Sequence, residues 1–571
     1  MMPRTVATPH QIAEQSLDSD ITTQLTTKED VIQSPRVPVS RRLFLGTGIT
    51  AAGLLLGQRL PASAQATANT LIIATNRTPT DLDPHSAYDA GSRIVLQSLF
   101  ETLISVTPGT TDQYQPLLAE SWESNADHTV WTFQLRDGLA FHDGTPCDAA
   151  AVQASFDRLL AMGFGPSTVI GRFVTDATQI TAPDAKTVTF NLEFPAPIFE
   201  AVIASATVSA VVNAQLARQH EVDGDWGHAW AQTTSDGMGT GPYRLTSFDI
   251  AEGITLEAHQ PYWGGWEGDH FGQLELRIVP EEATRRELIE SGDVDMTDNL
   301  SPDVLGDLAA NADLAVDLRY NLAVRYVMFN QSGPLASVSA RQAICYAFPY
   351  DNVINGVYEG YAKRAIGPCA ELLRGFAPGT YRYETDLDQA RALLAEAGVA
   401  PGTTLSIVIP TGMAIGESIA QLLGANLEEI GLNLDIQRVD FATFVDIYYG
   451  DLPEDQRPNL LPSFWAPDYN DGWNHLWPQL SSDAWNTGNA GHYRNDRIDL
   501  LLNEAQFASD EAAYNEALAE IQQIATKDDP AAVYYAQAQW PTIFNKRVAG
   551  FVPNLISAEL YDFHALSEQQ S

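Results

Sequence analysis

The amino-acid sequence predicts a mixed α/β fold in more than one lobe, and three observations carry that prediction. The chain has 571 residues, 45% apolar and 18% charged, enough at roughly 150 residues per domain for two to four full-sized cores. Short segments with the period-two alternation of half-buried strands are interleaved with segments showing the 3.6 period of amphipathic helices. One stretch, Leu405 to Ile436, strings strand, helix and strand together as a βαβ unit.

The chain opens with an address. Residues 1–39 are polar and aperiodic; Ser40-Arg41-Arg42-Leu43-Phe44-Leu45 then leads into a mild apolar run from Gly46 to Gly57, too short and Gly-rich to stay in a membrane. The paired Arg41 and Arg42 resemble a twin-arginine export signal, and Ala62-Ser63-Ala64 supplies the small residues that signal peptidase needs. A mature chain beginning near Gln65 is expected, in the periplasm. With no cysteine near Ala64, no lipoprotein anchor is expected.

Elements follow in order. Leu71 to Ala74 reads as a short buried strand, and Ile94, Leu96, Leu99, Phe100 and Leu103 gather near one helical face. Trp131, Phe133 and Leu135 alternate with polar neighbours, as do Val188, Phe190 and Leu192, and then Leu274, Leu276 and Ile278. Ala390, Leu393, Leu394 and Ala397 form an amphipathic helix between Asp386, a candidate N-cap, and Gly398, a C-terminal stop. Leu405 to Ile409, Glu417 to Ile430 and Leu432 to Ile436 are the βαβ unit of a second lobe. The Gly/Pro-rich passages Ser235 to Pro242 and Asn330 to Pro334 are places for the chain to pass between lobes.

Charge is the extreme property. With 73 Asp and Glu against 32 Lys and Arg, the net charge is −41, which repels phosphate backbones and anionic lipid. Nucleic acid is therefore excluded as an expected partner. Only five lysines occur (Lys28, Lys186, Lys363, Lys527, Lys546); working in salt and an arginine-favouring codon bias account for this equally well. Cys147, Cys345 and Cys369 match neither a zinc spacing nor a disulfide framework, so buried inert thiols are expected and no metal or other cofactor.

Several segments, taken in order, resemble one family: the peptide and nickel class of substrate-binding proteins that serve bacterial ABC importers, solute-binding family 5. They are Leu82-Asp83-Pro84; Leu118-Ala119-Glu120-Ser121-Trp122; Trp131 to Gly138 with Phe141-His142-Asp143-Gly144-Thr145-Pro146; Gly239-Thr240-Gly241-Pro242-Tyr243; Tyr262-Trp263; Arg341-Gln342-Ala343 with Tyr346-Ala347; Ala390 to Gly398; and Val533 to Ala536. The resemblance runs through residues 71–565. It implies the two-lobed periplasmic-binding-protein fold of type II, in its large class with an extra subdomain, mixed β-sheets and a ligand cleft between lobes. The implied division is an N-terminal extension and signal at 1–64, the first lobe at 65–115, 239–330 and 528–571, the extra subdomain at 116–238, and the second lobe at 331–527. A monomer is expected, with the importer's transmembrane subunits as partners.

Read on their own chemistry, most of these motifs are structural. Asp143-Gly144 favours a tight turn, which makes His142 a turn residue. Gly239-Thr240-Gly241 lacks the following helix that a phosphate cradle requires, since Pro242 and a strand-like run take its place. The informative stretch is Ser463 to Trp477, where Trp465, Tyr469, Trp473 and Trp477 surround Asp468 and Asp471 in a loop-like context. Aromatics with isolated carboxylates supply apolar contact, cation attraction and orientation to a ligand. In peptide-binding members an Asp three positions after the Trp holds the ligand's α-amino group, and the resemblance puts Asp468 there. Trp465, Tyr469 and Trp473 are the expected packing surface, with Asp471, His475 and Tyr88 as further candidate contacts.

Two departures bear on the ligand. The loop Pro410 to Glu417 has no arginine where dipeptide binders hold the ligand carboxylate, and Ser205-Ala206-Thr207-Val208-Ser209 has none where nickel-metallophore binders carry one. Arg364, Arg374 and Arg382 are the alternatives. The expected cargo is a peptide or other amine-bearing organic solute; a sugar, glycoside or nickel complex is the alternative within the class. A secreted hydrolase is the remote one, because the sequence has no Gly-x-Ser-x-Gly elbow, no His-Glu-x-x-His helix and no P-loop. No enzymatic activity is expected.

Overall fold

Strand Thr70–Thr75 is buried at every position, and its alternate residues serve two cores: Leu71 and Ile73 face one, Ile72 and Ala74 the other. That is why it reads as an unbroken apolar run and not as an alternation. It belongs to a computed structural model that describes residues 69–569 except 252, 451, 454, 455, 486, 487 and 558. The expected export signal, with Arg41, Arg42 and Ala64, lies outside the described residues.

Thr70–Thr75 lies parallel to both Gln273–Ile278 and Met296–Asp298. Beyond Gln273–Ile278 the hairpin partners Gly253–Ala258 and Tyr243–Asp249 complete one half of a twelve-stranded sheet. The other half contains Val324–Phe329, Leu460–Trp465, Thr404–Pro410 and Asn433–Val439. In it the expected βαβ unit is present as Thr404–Pro410, the helix Ala414–Glu429 and Asn433–Val439, the two strands parallel and in register. The helix Leu387–Ala397 begins where Asp386 accepts from the Gln389 N–H and ends at Gly398, whose φ of 70° is left-handed.

One strand ties the halves together. Ala532–Asn545 pairs through its first residues with Val324–Phe329 and through its last with Leu314–Tyr320 and Met296–Asp298. Leu314–Tyr320 and Val324–Phe329 run along the same partner, so the chain crosses from one half to the other at residues 321–323. Asn330 to Pro334 follows that crossing, because continued pairing with Ala532–Asn545 carries the chain across before the glycine and proline are reached.

A separate four-stranded antiparallel sheet, in the order Ala119–Ser124, Val130–Leu135, Thr187–Asn191 and Ile180–Thr181, has its own core. Trp131, Phe133 and Leu135 point into that core and their neighbours do not, the pattern that the alternation predicts.

Packing explains the motifs. Asp83 and Arg158 are completely buried and joined by two hydrogen bonds, 2.9 and 2.5 Å, and Arg158 also donates to the Trp226 carbonyl at 3.0 Å. Asp83 therefore titrates far below the ordinary carboxylate range despite its burial, because Arg158 and His228 hydrogen-bond to its anion. A Cβ on Gly239 would meet the Leu99 carbonyl oxygen at 1.9 Å and one on Gly241 the Ser98 carbonyl oxygen at 2.4 Å. Both glycines let the loop press against the end of helix Ala90–Leu99, where the His142 ring bonds the Gly241 carbonyl at 2.8 Å. Cys147, Cys345 and Cys369 are buried and unpaired, and burial pushes each thiol's titration up.

Candidate ligand-binding site

Strand Leu460–Trp465 lies antiparallel to Val324–Phe329, with Trp465 opposite Val324. Pro467 has no N–H to continue the ladder, so the chain turns out of the sheet at Ala466-Pro467 and presents Asp468. Asp471 then caps helix Gly472–Leu480 by accepting from the Asn474 N–H at 3.1 Å. Asn474 points back from the first turn: its carbonyl oxygen accepts from the Asp468 N–H at 2.9 Å and its amide donates to Oδ2 of Asp468 at 3.2 Å. The loop is thereby locked with the carboxylate at its tip.

From the other half of the molecule, Tyr88 donates its hydroxyl to Oδ1 of Asp468. Ser205 donates to the Asp468 carbonyl oxygen at 2.8 Å. Tyr88 is 36% exposed, yet its hydroxyl is turned inward, and burial with the adjacent carboxylate pushes its titration well above the usual phenol range. Three segments distant in sequence thus converge on one acid, whose oxygens keep lone pairs for a further donor.

The remaining expected contacts are placed differently. Trp465 is half-buried against the core of the second half. Tyr469 is 1% exposed and is inserted into the core of the four-stranded sheet. Trp473 donates its indole N–H to the Leu502 carbonyl at 2.8 Å and packs inside the second half. His475 is wholly buried, bonded to the Pro368 carbonyl at 2.8 Å and pushed down to about 4 by desolvation. Asp471 accepts from Arg374 and from the Tyr514 hydroxyl, both at 2.6 Å. Asp471, Trp473 and His475 are committed to the protein because the helix that Asp471 starts packs its first turn inward, and Tyr469, which precedes that helix, because it enters the other core.

Sequence reasoning missed Ser205 and Arg172. The serine stood in a segment noticed only for its lack of arginine; Arg172 follows a short Gly165–Ile170 helix with no motif around it. Its guanidinium lies 3.8 Å from the ring centre of Trp477 and 4.7 Å from that of Trp473. The three arginines considered from sequence are occupied: Arg364 and Arg382 pair with Glu384, and Arg374 with Asp471 and Glu511.

Comparison with known proteins gives a consistent picture. Residues 113–487 match the family model described as bacterial extracellular solute-binding proteins, family 5 Middle. The chain is 29% identical to the probable D,D-dipeptide-binding periplasmic protein DdpA of Escherichia coli, over 91% of this chain and 98% of that one. It is 26% identical to di/tripeptide-binding protein 2 of Pseudomonas aeruginosa, over 88% and 96%. Among solved structures, the dipeptide binding protein from Pseudoalteromonas sp. SM9913 in complex with Met-Leu superposes with a TM-score of 0.77 at 23% identity, covering 88% of this chain and 100% of that one.

Proposed function

Because the chain belongs to the bacterial extracellular solute-binding proteins of family 5, whose members bind and do not catalyse, we propose that it is the periplasmic capture component of an ABC importer for a peptide or another amine-bearing organic solute. The observation that carries this reading is the convergence on Asp468. Its carboxylate sits at a junction where Tyr88 and Ser205 come from one half of the molecule and Asn474 from the other. An ammonium placed there completes the oxygens' hydrogen bonding and neutralises the charge. The dipeptide and tripeptide ligands in the names of DdpA and its Pseudomonas counterpart fit the same chemistry.

Capture follows from geometry. A ligand that touches both halves binds the closed arrangement more tightly than the open one and shifts the population toward closure by that difference. The importer's membrane subunits then recognise the closed form. Export by the twin-arginine route belongs to the same reading: Arg41 and Arg42 address the precursor and cleavage after Ala64 releases the carrier.

Native mass spectrometry of freshly purified protein, followed by release and identification of the cargo, tests the proposal. An amine-bearing solute returned chemically unchanged is expected. A neutral sugar as cargo would overturn the amine reading, and turnover of peptide or glycoside pools would overturn the carrier reading.

A further inference from the structure

The loop from Pro410 to Glu417 offers no cation for a ligand carboxylate, and Arg364, Arg374 and Arg382 are paired with acids of the protein itself. Arg172 is not. Its Nε donates to the Thr168 carbonyl at 3.1 Å, and its two terminal nitrogens have no acceptor among the described residues. Arg172 is half-buried, and unlike the deeply buried Arg285 and Arg457, whose terminal nitrogens donate to backbone carbonyls, it spends only its Nε on the protein.

Its surroundings give the group a direction. The indoles of Trp477 and Trp473 hold its face, and stacking of that kind leaves the edge of the fork, with its parallel N–H donors, for an in-plane partner. Desolvation is the largest influence on it and lowers its proton affinity, with Tyr469, Tyr88 and then Asp468 acting on it electrostatically, the mark of a cation short of a counter-charge. Asp468 is close enough to act on it yet forms no ion pair with it among the described residues. The two opposite charges thus lie within electrostatic range of each other with no ion pair joining them among the described residues. Arg172 precedes Phe173 in the core of the four-stranded sheet, whereas Trp473 and Trp477 belong to the second half, so a group bound here is gripped from both sides.

We infer that Arg172 holds the carboxylate of the cargo in a bidentate pair while Asp468 holds its ammonium, which makes the preferred cargo a short zwitterion with both ends unblocked. This rests on the amine-carrier reading above and extends it from one end of the ligand to both. It also restores the cation that the second-lobe loop lacks, from a different part of the chain.

Titration calorimetry with D-alanyl-D-alanine, L-alanyl-L-alanine and the C-terminal amide and N-acetyl form of each tests it on the mature protein. The parent is expected to prefer the free acid over the amide by at least about thirtyfold, the range for a desolvated charge pair. Arg172→Gln should bind acid and amide alike, and Arg172→Lys, which keeps the charge and loses the fork, should retain part of the preference. Asp468→Asn should keep the acid-over-amide preference and lose discrimination between free and acetylated amine. Persistence of the full acid-over-amide preference in a folded Arg172→Gln or Arg172→Lys protein overturns the role of Arg172 and leaves the amine reading standing. Failure of the parent to bind any of the six probes overturns the peptide reading and this inference with it.

Discussion

The hydroxyl of Tyr88 donates to Oδ1 of Asp468, joining residues 380 positions apart and from opposite halves of the molecule. If that carboxylate holds a ligand ammonium, removing its charge leaves the ammonium enclosed and unpaired, a loss of roughly 2 to 5 kcal/mol. Asp468→Asn should therefore weaken binding of the recovered cargo by tens to thousands of times. Its carboxamide still reaches Tyr88 and Asn474, so the melting temperature should stay near that of the parent. Tyr88→Phe, which leaves the charge in place and removes one donor to it, should weaken binding by less than Asp468→Asn does. Equal affinities of parent and Asp468→Asn by calorimetry would sink the ammonium role.

Asp471, three residues on, answers differently. It caps a helix and carries an enclosed pair with Arg374, so Asp471→Ala should lower stability by about 3 to 5 kcal/mol. Denaturant melts of the two variants separate the roles: binding lost at Asp468, stability lost at Asp471.

The Asp83–Arg158 pair gives the Leu82-Asp83-Pro84 motif a measurable meaning. Breaking it from either side strands one charge in the interior, so Asp83→Asn and Arg158→Met should each cost about 3 to 5 kcal/mol. The double variant should cost much less than the two together, since the stranded charge is gone. Strict additivity in denaturant unfolding would show that the two residues act independently.

These cases show what was legible beforehand. Alternation and capping are local, so the strands at Val130–Leu135 and Gln273–Ile278 and the helix from Asp386 to Gly398 could be read from neighbouring residues alone. The aromatic stretch around Asp468 was equally visible as a place. Which of its side chains stay near the surface was not, because that depends on the Gly472–Leu480 helix turning Trp473 and His475 inward. Folding brings Ser205 from a distant segment onto the Asp468 carbonyl and Arg172 into electrostatic range of its carboxylate, and no spacing rule records such a meeting.

Export is tested on residues outside the described structure. Replacing Arg41 and Arg42 together by Lys should leave full-length precursor in the cytoplasm, because the paired arginines are the recognisable element of the signal. Fractionation with N-terminal sequencing reads the outcome; normal processing near Gln65 in that variant would remove the twin-arginine assignment.

Glu101 provides the pH dependence. It is 6% exposed, accepts from the Tyr262 hydroxyl at 2.8 Å and from the Trp263 indole at 2.9 Å, and burial pushes its titration up to about 7. The folded protein thus holds a proton that the unfolded chain releases near 4.5. Between those values the folded state binds more protons, so this group's contribution to stability falls as pH rises, by up to about 1.4 kcal/mol per pH unit. His85, His142 and His475, each pushed down to about 4 by burial, act in the opposite sense, adding stability as pH climbs from about 4 to 6.5. Their effect is common to parent and Glu101→Gln and drops out of the difference. The carboxamide can accept from Trp263 and donate to the Tyr262 oxygen, so the variant should fold. Its stability relative to the parent should rise steadily from pH 4.5 to 7 and then level off. Chemical denaturation at half-unit steps measures that difference, and a constant gap across the window would mean that Glu101 is already ionised in the folded protein at the acid end.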